Sequence, residues 1–112
     1  MSDCLFCKIA AGEIPADKVM DEDDLVVFRD INAQAPTHLL VIPKRHIASL
    51  NDAGEADEAL LGRLLVACRR AAAAEGLDEY RVVNHCGESA GQSVFHIHLH
   101  VLGGRSLGWP PG

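Results

Sequence analysis

The segment His96-Ile97-His98-Leu99-His100-Val101-Leu102 places three of the chain's six histidines within five positions. On an extended strand side chains alternate faces, so His96, His98 and His100 fall on one side and Ile97, Leu99 and Val101 on the other. A single histidine on a strand is ordinarily a hydrogen-bonded structural residue. Three on one face cost more, because clustered imidazolium ions repel and must stay neutral or find partners. Two kinds of chemistry use such a row. Neutral imidazoles two residues apart can share a zinc ion. Alternatively, one imidazole attacks phosphorus or an acyl carbon while its neighbours orient it or move protons. The preceding loop, Gly87-Glu88-Ser89-Ala90-Gly91-Gln92-Ser93-Val94, favours the second. Its glycines permit backbone angles that leave N–H groups free to meet an anion, and Ser93 adds a hydroxyl donor. Donors of this kind beside a nucleophile are the parts of a phosphate site.

Cys4-Leu5-Phe6-Cys7 is a second chemistry-bearing pattern. The opening Met1-Ser2-Asp3-Cys4 has no basic, apolar leader character, so the chain is expected to stay in the reducing cytoplasm and a structural disulfide is not expected. A redox pair would need the strand-to-helix setting of a thioredoxin motif, which the pattern lacks. Zinc would need two further ligands, and two ordinary buried thiols are the plainer alternative. Cys68 reads as core, and Cys86 receives no role.

These residues need a scaffold, and the hydrophobic pattern supplies one. Leu25–Arg29 and Thr37–Ile42 are Val- and Leu-rich runs that read as strands, the second bounded by Pro36 and Pro43. The Asp30–Pro36 connection suits a wide hairpin loop, which predicts an antiparallel pair. Before it, the charge run Asp21-Glu22-Asp23-Asp24 reads as a solvated turn. A helix within Asp52–Glu75 is the most regular element. There Leu60, Leu61, Leu64, Leu65, Cys68, Ala71 and Ala72 recur at helical spacing, Arg63, Arg69 and Arg70 lie off that face, and Gly76 is a natural stop. Phe6–Ala11 allows one or two helical turns before Pro15. Arg81–Asn84 and Val94–Leu102 read as two more strands flanking the Gly87–Gly91 loop. The order predicts an α+β domain over residues 1–112, an antiparallel sheet covered by one long helix plus a short N-terminal helix.

Composition excludes several classes. With 16 acidic and 10 basic residues in 112, the net charge is −6, which disfavours binding to a nucleic-acid backbone. Aromatic residues are 4%, too few for a base-stacking platform. No apolar run approaches the roughly 18 to 20 residues of a membrane span.

Gly91-Gln92-Ser93-Val94-Phe95-His96-Ile97-His98-Leu99-His100-Val101-Leu102-Gly103-Gly104 resembles the signature of the histidine triad nucleotide-binding family. The similarity is closest to its adenosine phosphoramidase branch. Glu13-Ile14-Pro15-Ala16, Asp30-Ile31, Gln34-Ala35-Pro36-Thr37-His38, Val41-Ile42-Pro43-Lys44 and Trp109-Pro110-Pro111-Gly112 match that branch in order. The resemblance implies a histidine triad fold and hydrolysis of the P–N bond of purine nucleoside 5′-phosphoramidates. His98 would attack the α-phosphorus and become nucleotidylated, and water would then release the monophosphate. His100 would contact phosphate oxygens or assist proton transfer to the leaving amine, and His38 would support the triad. Gly91 closes the loop in which Gln92, Ser93 and the Val94 backbone would hold the phosphate. Asp30 would bind the ribose hydroxyls, since a carboxylate accepts two hydrogen bonds from a vicinal diol. Phe6, Ile9, Phe28 and Ile31 would wall the purine, although their residue types alone fit core packing as well. Trp109 would reach the neighbouring subunit's site in a homodimer. Cys4, Cys7, His46 and His96 would bind a structural zinc, as in several relatives and in galactose-1-phosphate uridylyltransferases, and no organic cofactor is implied. The sequence departs from the family at Asn84-His85. The family asparagine six residues before Gly91 is replaced by His85, with Asn84 one residue early. Adjacent strand residues face opposite sides, so either a bulge admits Asn84 or His85 makes the contact; the count favours His85. Two other readings accompany the phosphoramidase one: cleavage of dinucleoside polyphosphates, and a non-catalytic nucleotide-sensing or scaffolding dimer.

Overall fold

The computed structural model describes residues 3–112, so Met1 and Ser2 of the leader reading lie outside the described residues. The chain runs α1 (Leu5–Ala10), β1 (Lys18–Asp21), β2 (Leu25–Arg29), β3 (Thr37–Pro43), α2 (Glu58–Ala74), β4 (Tyr80–Val83) and β5 (Leu99–Gly103). Short 3-10 turns at Leu50–Asp52, Glu55–Asp57 and Glu88–Ala90 lie between the elements. Among the described residues one antiparallel sheet forms, in the order β1-β2-β3-β5-β4. This is the expected α+β architecture with one long helix. No helix among the described residues is long and apolar enough to cross a membrane.

Strand alternation divides the apolar residues into two layers. On one face Leu25, Val27, Leu39, Val41 and Val101 meet Leu64, Ala67, Cys68, Ala71 and Ala72 of α2. On the other face Val26, Phe28, Leu40 and Ile42 meet Phe6 and Ile9 of α1. The period of two therefore sends alternate residues of β2 and β3 to different helices. His38 shares the α1 face with Leu40, and β3–β5 pairing sets Leu40 opposite His100. The polar site grows on the face that the long helix leaves open.

Four expectations require correction. The chain contains a strand not expected from sequence, β1, which is too short and too mixed in polarity to show a period. The charge run beside it is not merely solvated: Glu22 pairs with Arg70, Asp24 with Arg63, and Asp21 with Lys44 at 2.8 Å, so the turn is tied to α2 and to the end of β3. Leu65, expected in the core, is 57% exposed, and Ala67 is buried instead. The inner stripe of α2 follows Leu64, Ala67, Cys68 and Ala71, and small side chains there let the helix lie close to the sheet. Finally, the strand expected over Val94–Leu102 pairs only from Leu99 onward. Upstream, Ile97 N–H reaches across to the Ile47 carbonyl at 2.6 Å, and His96 is drawn towards the cysteines.

Candidate active site and metal cluster

A cavity of about 540 Å³ opens on the α1 face of the sheet. Its lining includes the apolar side chains of Phe6, Ile9, Phe28 and Leu40 and the imidazoles of His38, His85, His98 and His100. Asp30, Gly91, Ser93 and Val94 line it as well. Ile31 also lines the opening but is fully exposed, so it borders the mouth without being packed. The Phe6 ring stands edge-on to both Phe28 and His98, with centroids 5.5 and 5.0 Å away. One aromatic side chain thus joins the apolar wall to the imidazoles.

Hydrogen bonds assign the imidazole tautomers. His98 Nδ1 lies 2.7 Å from the His96 carbonyl oxygen. A carbonyl can only accept, so Nδ1 carries the proton and Nε2 keeps its lone pair. Gln34 N–H donates to His38 Nδ1 at 3.0 Å, which leaves the His38 proton on Nε2. From there it is donated to His100 Nδ1, 2.9 Å away, and the Asp30 carboxylate lies 3.4 Å from the same His38 nitrogen. His100 consequently holds its proton on Nε2, a buried atom without a hydrogen-bond partner. Leaving a buried donor unpaired costs about 1–3 kcal/mol, and such an exception calls for an explanation such as a catalytic role.

Burial keeps these rings neutral. It lowers the pKa values of His98 and His38, against the opposing pull of the His96 carbonyl on the first and of Asp30 on the second. His100 is pushed down to about 4 by burial and by neighbouring His98, His38 and His85. Neutral imidazoles at pH 7 mean an available lone pair on His98 and a proton on His100 Nε2.

Asn84 and His85 divide the question posed by the sequence. Asn84 Nδ2 donates to the His98 carbonyl at 2.9 Å; it steadies the backbone of His98 and does not line the cavity. His85 lines the cavity, its ring 5.0 Å from that of His100 and against Gly91. Gln92 departs from its expected place. It is buried, its Oε1 accepts from Gly87 N–H at 2.8 Å, and its Nε2 donates to the Ala48 and Val94 carbonyls. All of its side-chain polar groups brace the loop, so none is left for a phosphate. Trp109 is 84% exposed and lies away from the cavity. Sequence reasoning assigned no role to Gln34, although Gln34-Ala35-Pro36 stood out as a matching segment.

None of the four residues of the cysteine–histidine cluster lines this cavity. Sulfurs of Cys4 and Cys7 and Nδ1 atoms of His46 and His96 lie within 4.8 Å of one another. His96 Nδ1 is 3.4 Å from each sulfur and 3.3 Å from His46 Nδ1, which is itself 3.4 Å from Cys7 Sγ. His96 Nε2 donates to the Pro43 carbonyl at 2.7 Å, so its Nδ1 presents a lone pair. Tetrahedral zinc with ordinary bond lengths sets nitrogen and sulfur about 3.5 Å apart and two nitrogens about 3.3 Å apart. The donor set and spacing fit that ion, and the Pro43 contact is the expected outer partner of a ligating imidazole. Asp30, His38 and His100 also approach one another within 4.8 Å. That group is wired differently: Gln34 N–H occupies His38 Nδ1, so His38 Nε2 carries a proton and offers no lone pair to a metal. The row of three histidines is therefore divided, with His96 turned to the cysteines and His98 and His100 to the cavity.

An α+β sheet with a long helix behind it, and a paired lone pair and unpartnered N–H in front, defines a class of histidine-based site. The chain belongs to the HIT domain family, whose profile spans residues 11–107. It is 53% identical over 111 residues to an HIT-like protein of Synechococcus elongatus, covering 98% of this chain and 97% of that protein. The crystal structure of an HIT family hydrolase from Legionella pneumophila Philadelphia 1 superposes with a TM-score of 0.96 at 54% identity, covering 98% of this chain and 100% of that one. A histidine triad nucleotide-binding protein from Candida albicans is 32% identical with a TM-score of 0.82, covering 96% and 83% of the two chains.

Proposed function

We propose that this HIT family protein is a nucleoside phosphoramidase that hydrolyses purine nucleoside 5′-phosphoramidates through a nucleotidyl-His98 intermediate. The observation that carries the reading is the pairing, in one cavity, of a His98 Nε2 lone pair with an unpartnered His100 Nε2–H. The Phe6–Phe28 wall would receive the base and Asp30 the ribose hydroxyls. Ser93, with the Val94 backbone, would hold the phosphate; the Gly91 N–H is already given to the Glu88 carbonyl at 3.0 Å. His98 Nε2 forms a bond to phosphorus as the P–N bond breaks, and the departing nitrogen takes the His100 Nε2 proton to leave as the amine. His98, still protonated at Nδ1, gains the positive charge that offsets the proton lost by His100. Water then displaces His98 from phosphorus, and the proton it gives up returns to His100 Nε2 as the monophosphate is released.

Zinc at Cys4, Cys7, His46 and His96 would tie the N-terminal segment to the sheet and supply structural rigidity. The outer edge of β4 is unpaired among the described residues, and Tyr80 and Val82 on it are exposed together with Leu65 and Val66 of α2. That apolar surface supports a homodimer, which would also give exposed Trp109 a neighbouring cavity to reach. Rapid-quench trapping with a labelled adenosine phosphoramidate is expected to place label on His98. Normal turnover by His98→Ala would overturn the mechanism.

A further inference from the structure

Arg105 lies outside the cavity, yet its guanidinium ends at the start of the hydrogen-bond chain that sets His100. Its Nε and Nη2 both donate to the Gln34 carbonyl, each at 3.0 Å. The N–H of that same residue is the donor that occupies His38 Nδ1. We infer that Arg105 is a positioning residue for leaving-group protonation: by clamping Gln34 it holds His38 in the tautomer that obliges His100 to present Nε2–H to the cavity. The inference rests on the hydrolase reading above and adds to it a determinant of which leaving groups are released efficiently.

Several contacts make the clamp specific. Gln34 sits in the β2–β3 loop, which is otherwise held by short internal bonds, from Asn32 N–H to Asp30 Oδ1 and from Gln34 Nε2 to the Asn32 carbonyl. Neither bond involves the Ala33–Gln34 peptide, whose N–H meets His38; Arg105 grips the carbonyl of the next peptide, Gln34–Ala35, and so fixes the backbone turn at Gln34. Arg105 reaches that loop because the chain leaving β5 passes tightly against it. At Gly104, φ is +94°, and an added Cβ would stand 2.9 Å from Pro36 Cβ. A side chain there would push the two segments apart and carry Arg105 with it. The His38–His100 bond has a direction, set by the Gln34 N–H at His38 Nδ1 together with the Asp30 carboxylate 3.4 Å from His38 Nε2. If Gln34 turns away, His38 Nδ1 loses its donor and the opposite tautomer becomes available. His100 is then free to place its lone pair, in place of its proton, at the leaving group.

The test compares two adenosine phosphoramidates, one releasing a strongly basic alkylamine and one a weakly basic nitroaniline. General acid assistance contributes about 10²–10⁴-fold to such steps, and it matters most for the basic leaving group. Arg105→Ala is expected to lower kcat for the alkylamine substrate by about tenfold and for the nitroaniline substrate by less than about twofold. KM should be unchanged for both. Arg105→Lys, which keeps the charge with one point donor, should fall between and serves also if the alanine variant folds poorly. Long-range ¹⁵N–¹H spectra of the substrate-free protein should show a single His100 tautomer protonated at Nε2 in the wild type and mixed tautomers in the variants. Equal losses on both substrates, or a wild-type spectrum in Arg105→Ala, would overturn the inference. Failure of the wild type to cleave either substrate would instead overturn the proposed function, while the spectra would still decide the role of Arg105.

Discussion

Acidification should destabilise this protein through His100, by an amount that follows from its surroundings. Burial and three neighbouring imidazoles depress its pKa from 6.5 to about 4. Between those values the unfolded chain binds a proton that the folded chain refuses, so stability falls as pH drops from 6.5 towards 4 and this contribution levels off below. The full linkage difference between pH 7 and pH 5 is about 2 kcal/mol. Solvent reaching the ring through the open cavity lowers the expected share to about 1 kcal/mol. His98 and His38 shift in the same direction, so the whole-protein effect exceeds that of His100 alone. The assay is urea unfolding of the wild type and of His100→Gln at pH 7, 6 and 5. Glutamine keeps an N–H donor but does not titrate. The gap in stability between the two proteins should narrow, or shift in favour of the variant, by about 1 kcal/mol from pH 7 to pH 5. A gap that stays constant across that range would refute the assignment of His100 as a buried neutral imidazole.

Three further outcomes follow from the packing and the metal cluster. Leu64→Ala empties a site that is 1% exposed against the sheet and should destabilise the protein by about 2–5 kcal/mol in urea unfolding. Adding one equivalent of zinc to metal-stripped wild type should raise Tm and release protons, whereas Cys7→Ser should lose most of that rise; equal shifts in both would exclude the four-ligand cluster. Gly91→Ala must hold φ near +104° with its Cβ 3.4 Å from the His85 ring, so a cost of about 1–3 kcal/mol and a displaced His85 side chain are expected, read as a lower Tm and altered His85 resonances.

Much of the scaffold was legible because its signals are periodic. β2 and the long helix carry strong patterns over several residues, and both lie where those patterns place them. β1 was not legible, because four residues, three half-buried and one exposed, carry too little alternation to stand above a loop. The exposure of Leu65 was equally hidden. Leu64 and Leu65 are adjacent in sequence, and only the angle at which α2 crosses the sheet decides which of them turns inward. The Asp21–Asp24 run lost its simple reading for a related reason, since its partners Arg63 and Arg70 are about 40 to 50 positions away and meet it only after the helix packs.

The site was legible as residue types and less so as wiring. The three histidines announced themselves by spacing, but alternation along one unbroken strand would put all three rings on one surface. The structure gives them separate duties by ending the ladder at Leu99. Upstream of that point the backbone no longer has to alternate in register, and His96 can turn to the cysteines while its carbonyl fixes the tautomer of His98. Asn84 takes up the His98 carbonyl on the other side, so the two histidines are held by main-chain contacts that no side-chain pattern reveals. Gln92 misled for the complementary reason. A glutamine next to a glycine loop looks like a ligand donor, yet a loop of this shape leaves peptide groups that must be paired, and Gln92 pairs two of them, at Gly87 and Val94, and ties the loop to the Ala48 carbonyl. The net charge of −6 is likewise no obstacle to an anionic ligand, because the cavity is lined by buried neutral imidazoles and the Ser93 side chain. What an acidic chain cannot offer a long polyanion it can still offer one phosphate, provided that the donors are fixed in place before the ligand arrives.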